Sequence, residues 1–301
     1  MPHGPPLIKR PTFQGIVMKL DLNQAWQQGM NLVAANWQLL LVLAGLFLFL
    51  PSVALTVLMP DMFSGLQGMT EPDEINAWML ANWPSFVGAT FVATFFQFIG
   101  YMAMIALMGA HRPTVGEALK MALISLPSMI AAFIIFAIGY VVVFGVLSLV
   151  IGLLVGGLAY AGLGGGGATG IAFLIMIPLL VVQFYLMARL SMTMPAMVIE
   201  RRLNPFDALR RSWSLTTGNG LRLFVFYALL MIAYFVILMV VSLFAAGVFG
   251  LAADSSTATM GSAILTGLLG AAFSMIFSGV VAAVFQRLAG PDAGEVSETF
   301  E

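Results

Sequence analysis

Six stretches of this chain, approximately residues 39–59, 86–109, 128–155, 171–190, 223–249 and 263–286, are apolar for as long as a bilayer is thick, and none holds an acidic residue. A helix needs about 18–25 such residues to cross the hydrocarbon core. It also satisfies its own backbone hydrogen bonds where no water can do so. The pattern therefore predicts an all-α, polytopic integral membrane protein with six transmembrane helices. Composition agrees: 61% of the 301 residues are hydrophobic, and the mean hydropathy of +1.02 lies outside the range of soluble domains.

Only 8% of the residues are charged, and their placement predicts the topology. All twelve Lys and Arg fall in four places: an N-terminal arm (Lys9, Arg10, Lys19), the connection after the second run (Arg112, Lys120), the interval from Arg189 to Arg222, and Arg287. The alternate connections are acidic instead, with Asp61, Glu71, Asp73 and Glu74 in 60–85 and Asp254 in 250–262. Short basic loops stay cytoplasmic, so both termini are expected inside. The Pro-rich opening does not read as a cleavable signal peptide. The absence of cysteine excludes disulfides, thiol catalysis and thiolate metal sites. A bacterial inner membrane is the default location. The arginines are accounted for by membrane orientation, which argues against nucleic-acid binding.

The expected organisation is a cytoplasmic arm (1–20), a six-span membrane domain (21–290) and an acidic tail (291–301). Short amphipathic segments at 22–30, 115–123 and 205–213 align on Ala25, Ala118 and Ala208, each followed four residues later by a small residue: Gly29, Ala122, Ser212. One reading is a parallel repeat of interfacial helix plus two-helix hairpin, over 21–110, 111–200 and 201–290. The other is that any amphipathic helix places small and apolar residues at such intervals.

Residues 204–217 read as an interfacial helix. Asn204 is a good N-cap and Pro205 suits the first turn, while Gly218-Asn219-Gly220 offers a stop. Phe206, Leu209 and Trp213 share one face, and Asp207 is spaced to pair with Arg211. Arg201, Arg202, Arg210, Arg211 and Trp213 are the expected contacts to anionic lipid headgroups or to a partner.

From Tyr185 to Phe224 the chain resembles the membrane-domain family found beside glycerophosphodiester phosphodiesterases, together with its uncharacterised bacterial multi-pass relatives. The resemblance is carried by Arg189, Pro195, Glu200, Pro205, Ala208, Leu209, Ser212, Trp213, Leu215, Thr216 and Gly218. Ala25, Trp26, Asn36 and Pro51 resemble it more loosely. The resemblance implies a six-span helical domain associated with a separate catalytic barrel. That barrel is absent from this sequence. Phosphodiester hydrolysis on a metal needs clustered His and carboxylate ligands; His3 and His111, the two histidines, sit near no carboxylate cluster. No enzyme and no cofactor is predicted.

Among polar residues inside the runs, Gln97, Tyr101, Gln183 and Ser274 stand out, because a polar group in lipid needs a partner or a path. Interhelical hydrogen bonding is one use and a substrate route the other. Arg189 and Glu200 are expected to form a structural clasp. Glu71, Asp73 and Glu74 read as a solvated helix start rather than a metal site. A four-residue ridge of small side chains, Ser262, Thr266, Gly270, Ser274, Ser278 and Ala282, predicts close helix packing, including a homo-oligomer or partner contact through the sixth span. The primary expectation is a non-enzymatic module that binds or organises membrane lipids or supports a membrane partner. The alternative is a transporter for a small or lipid-like solute.

Overall fold

The computed structural model describes residues 20–59, 69–109, 113–249 and 255–290. His3, Lys9, Arg10, Lys19, Asp61, His111, Arg112, Asp254 and the tail 291–301 lie outside the described residues. Among the described residues there is no strand, and six helices are long and apolar enough to cross a membrane. They follow the six apolar runs in order.

Helix α1 (Leu22–Ala44) starts on Asp21, whose carboxylate accepts the backbone N–H of Asn23 at 3.0 Å and of Gln24 at 3.1 Å. Pro51 has no N–H to return to the preceding turn. The chain widens into a π turn at Gly45–Phe49 just before it and continues as α2 (Leu50–Leu58). The first span is therefore one interrupted helix that includes residues 22–30. Helix α3 (Pro72–Leu107) opens with Asp73 and Glu74 in its first turn, where carboxylates favour the helix dipole.

Helix α4 (Val115–Leu158) begins at a reciprocal cap: the Glu117 carboxylate accepts the Thr114 N–H at 2.8 Å, and the Thr114 hydroxyl accepts the Glu117 N–H at 3.3 Å. Residues 115–123 thus belong to the span as well. Of the three expected interfacial helices, only the last is separate. After a π turn at Ala159–Leu163 the chain reverses at Gly162, whose φ of +104° suits glycine alone. Helix α5 (Gly164–Leu190) starts at once. The glycine-rich stretch 161–170 reads in sequence as a flexible outer loop, but it is a tight reversal leading straight into helix, because one glycine suffices to turn the chain. Then come the short α6 (Thr193–Val198), α7 (Pro205–Leu215), α8 (Gly220–Phe249) and α9 (Ser255–Ala289).

Helix α9 runs through the middle, against α1, α2, α3 and α8. Its Ser278–Phe285 segment is buried, as are Met102–Leu107 of α3 and the two residues after it. The expected partner contact through the sixth span is therefore not free along this stretch, which its own bundle encloses. The tightest crossing is α1 on α9, where Gly29 and Gly279 let two backbones meet. Below it the Arg287 guanidinium donates to Gln28 and Gln24, both at 2.8 Å, and Gln286 donates to the Met108 carbonyl at 2.7 Å. These bonds tie the two described ends of the chain to one end of the bundle, called here the basic end. Toward the far end the helices carry apolar side chains outward, such as Val141, Val142, Leu149 and Leu153 of α4, as a lipid-facing surface must.

Ala25, Ala118 and Ala208 are each fully buried, and Gly29, Ala122 and Ser212 are buried too. Helix contact explains the shared spacing of the three segments: small residues one turn apart lie where each helix crosses a neighbour.

Candidate functional site

Two regions collect the polar residues of this apolar chain. The first is a cleft of about 330 Å³ between α2, α3, α8 and α9, lined by Ser52, Thr56, Gln97, Tyr234, Thr266 and Ser274 among apolar neighbours. A smaller cavity of about 190 Å³ shares Leu48, Gln97 and Ser274 with it and continues to Tyr101 and Met194. Three of the four polar residues expected inside the membrane, Gln97, Tyr101 and Ser274, therefore come together.

The serine and threonine hydroxyls of the cleft spend their hydrogens on their own helices. Ser52 donates to the Phe49 carbonyl at 2.7 Å, Thr266 to Ser262 and Ser274 to Gly270, both at 2.8 Å. Their lone pairs remain as acceptors. The Gln97 amide makes no hydrogen bond to another described residue, and the Tyr101 hydroxyl is buried without a partner. No charged side chain lines either cavity. Such a wall suits an uncharged polar group, a hydroxyl or an ester, and disfavours a bare ion.

The small-residue ridge of the sixth span changes role along its length. Ser278 and Ala282 are fully buried in helix contacts, as expected. Thr266, Gly270 and Ser274 instead form a cleft wall: a β-carbon on Gly270 would meet only the Tyr234 hydroxyl, at 3.8 Å. Gln183 stands apart from the cleft. Its carbonyl oxygen accepts from the Tyr140 hydroxyl at 3.3 Å, joining α4 to α5, which is the interhelical bonding a buried amide finds in lipid. Sequence reading missed Ser52, Thr56 and Tyr234. Ser52 and Thr56 lie near helix ends, where hydroxyls are ordinary, and only the packing of α2 and α8 on α9 turns them and Tyr234 to one space.

The second region is a hub at the basic end. The expected clasp between Arg189 and Glu200 does not form; each takes another partner. Arg201 adopts a positive φ of 56°, and the Arg202 N–H reaches back to the Ala196 carbonyl at 3.2 Å, which closes α6 and directs Glu200 toward α7. There Glu200 accepts from Arg211 Nη2 at 2.7 Å and from Arg211 Nε, shared between both carboxylate oxygens at 3.0 and 3.1 Å, and also from Arg202. Arg211 is thus engaged by Glu200 rather than by Asp207. Burial pushes the Glu200 carboxyl up, but the hydrogen bonds from Arg211 and Arg202, with their charges, outweigh it and leave the group below the usual carboxylate range.

Arg189 joins α5 to α7 by other means. The Ser212 hydroxyl donates to its carbonyl at 2.9 Å, with the Thr216 hydroxyl 3.2 Å from the same oxygen. Its guanidinium lies over Trp213, 4.2 Å from the ring centroid, and donates to the Thr217 hydroxyl at 3.3 Å. Asn204 caps α7 as expected, accepting the Phe206 N–H at 3.0 Å. The buried face of α7 is Ala208 and Ser212, while Phe206 and Trp213 point outward. Arg201, Arg202 and Arg210 are exposed beside them. Glu71, Asp73 and Glu74 are exposed at the far end, and no metal-binding cluster occurs among the described residues.

The residues that carry the family resemblance are therefore those that build the hub. No curated protein and no solved structure matches the chain. Residues 167–290, from α5 to the end of α9 and with the whole hub inside them, match the family model for the membrane domain of glycerophosphoryl diester phosphodiesterase.

Proposed function

We propose that this chain is a non-enzymatic membrane module that holds a lipid-like amphiphile, seating its uncharged polar group in the cleft between α2, α3, α8 and α9. The observation that carries this reading is the Gln97 amide. It makes no bond to another described residue, on a wall of hydroxyl acceptors without any charge, in a space of about 330 Å³. Ligand sites begin near about 300 Å³, and an unpaired amide inside a membrane domain costs free energy that a ligand's hydroxyl or ester would recover. A wall with no acid, base or nucleophile flanked by one is a poor catalyst. In this reading the basic end faces the cytoplasm of a bacterial inner membrane, as the charge asymmetry requires, and the outward arginines meet anionic headgroups.

The test is lipid analysis of the protein purified in mild detergent. Gln97→Leu and Gly270→Leu, which unpair or fill the cleft without touching the packed end of α9, should lose a co-purifying neutral lipid that the unaltered chain retains. Equal lipid content in all three would sink the proposal.

A second reading, transport of such a solute, is favoured by one feature. The space continues past Gln97 to Tyr101 and Met194, with the short α6 as its floor. Flux into proteoliposomes that Gln97→Leu abolishes would select transport over static binding.

A further inference from the structure

The Arg189 guanidinium has no counter-ion among the described residues. Its residue is only 6% exposed, and its Nε is buried without an acceptor. What it touches, the Trp213 ring and the Thr217 hydroxyl, is neutral. Both ion pairs among the described residues belong to Glu200. A guanidinium does not shed its proton in a protein. Burying one unpaired is costly, and a cation–π contact recovers only part of that cost. The fold is completed by a negative charge brought to this point.

The surroundings say which kind. The Arg189 side chain crosses Gly220, the first residue of the 30-residue α8, closely enough that a β-carbon on Gly220 would lie 2.8 Å from Cδ and 2.9 Å from the Tyr185 hydroxyl. The first intrahelical bond of this turn runs from the Leu223 N–H to the Asn219 carbonyl at 3.0 Å. The N–H groups of Gly220, Leu221 and Arg222 therefore have no acceptor within the helix, at the turn that the Arg189 side chain crosses. A planar donor fork next to a helix N-terminus matches the oxygens of phosphate. Trp213, 45% exposed over the guanidinium, and Phe206, 65% exposed on the same helix, are amphipathic and apolar groups of the kind that seat in a headgroup layer.

We infer that Arg189, covered by Trp213 and set against the start of α8, forms a binding site for a phosphate group, independent of the cleft. The phosphate oxygens take the open guanidinium donors and the first-turn N–H groups of α8. Gly220 is required there because any side chain would displace Arg189.

The test follows thermal protection of the delipidated protein in detergent by three probes: a short-chain phosphatidylglycerol, inorganic phosphate and an uncharged diacylglycerol. Phosphatidylglycerol should raise the melting temperature saturably, as a ligand of the native state does. Arg189→Gln should weaken its apparent affinity about tenfold or more, while Lys120→Gln, exposed at the same end on another helix, α4, leaves it unchanged. Should Arg189→Gln fail to fold, Arg189→Lys and Gly220→Ala supply the same reading, since one loses the fork and the other displaces it. Protection by inorganic phosphate alone, lost in these variants, upholds the site and assigns it to free phosphate. Equal protection of the unaltered chain and the Arg189 variants overturns the inference. So does protection that appears only once residues 291–301 are deleted, because a carboxylate of the chain itself would then be the occupant. Neutral-lipid retention by Gln97→Leu is read separately, so failure of the cleft proposal leaves this result standing.

Discussion

Gly279 of α9 faces Gly29 of α1 so closely that a β-carbon on Gly279 would lie 2.9 Å from the Gly29 carbonyl oxygen and would overlap the Val33 side chain. Backbone meets backbone there, with no flexible side chain to give way. About two and a half turns before Gly279 along the same helix α9, at Gly270, the wall opens onto the cleft. Packing and cavity are thus divided between two ends of one helix.

This division makes the first prediction. Gly279→Val should lower the melting temperature in detergent sharply, since overpacking a tight crossing costs about 1–3 kcal/mol. Gly270→Ala should leave it nearly unchanged, because its new methyl meets open space. Equal melting of the two variants would show that the α1–α9 crossing is not a close one.

The second concerns acid. Glu200 is held below its ordinary range in the folded chain by Arg211 and Arg202. A depressed carboxyl contributes stability that is present above the unfolded value, about 4.3, and is lost as pH falls through the folded value. Melting temperature followed from pH 7 downward should therefore fall below about pH 4.5, and Glu200→Gln should remove that part of the fall. Arg211→Gln, which brings the folded value back toward the unfolded one, should make that fall smaller. An unchanged acid limb in Glu200→Gln would show that the pair contributes nothing to the fold.

How much of this was legible in the sequence follows from what each level of physics needs. Span number depends on run length and solvation of the backbone, both local, and six helices appear where six runs were read. The Asn204 and Gly218 signals of α7 are local too, and the structure has both. Side-chain pairing is not local. Arg189 and Glu200 look like partners by charge, yet the left-handed Arg201 turns Glu200 to Arg211. Gln183 looked like Gln97, and only the position of Tyr140 on α4 separates a glue residue from a cleft residue.

The third prediction uses the chain's lack of cysteine, which makes any introduced thiol a unique label. Thr70→Cys and Tyr160→Cys lie at the far end, with Tyr160 97% exposed; Gly116→Cys and Thr217→Cys lie at the basic end. An impermeant thiol reagent applied to intact cells should reach the first pair and not the second, if basic loops stay inside. Labelling at one member of each pair would break the six-span arrangement; a clean exchange of the pairs would keep the fold and invert it.

The fourth separates two neighbouring arginines that sequence reading treated alike. Arg211 is spent on Glu200, whereas Arg210 is exposed and bonded to no described residue. An arginine near an anionic surface contributes about 1 kcal/mol of attraction, screened by salt. Arg210→Gln should therefore weaken binding to phosphatidylglycerol vesicles several-fold, more at low salt than at high, with no change in melting temperature. Arg211→Gln should do the reverse: it removes a charge-assisted pair of about 1.5–3 kcal/mol, so the melting temperature falls while vesicle binding of the folded fraction changes little. If the two variants lose vesicle binding equally and melt alike, both arginines face headgroups and the Glu200–Arg211 pair does not hold α7 in place.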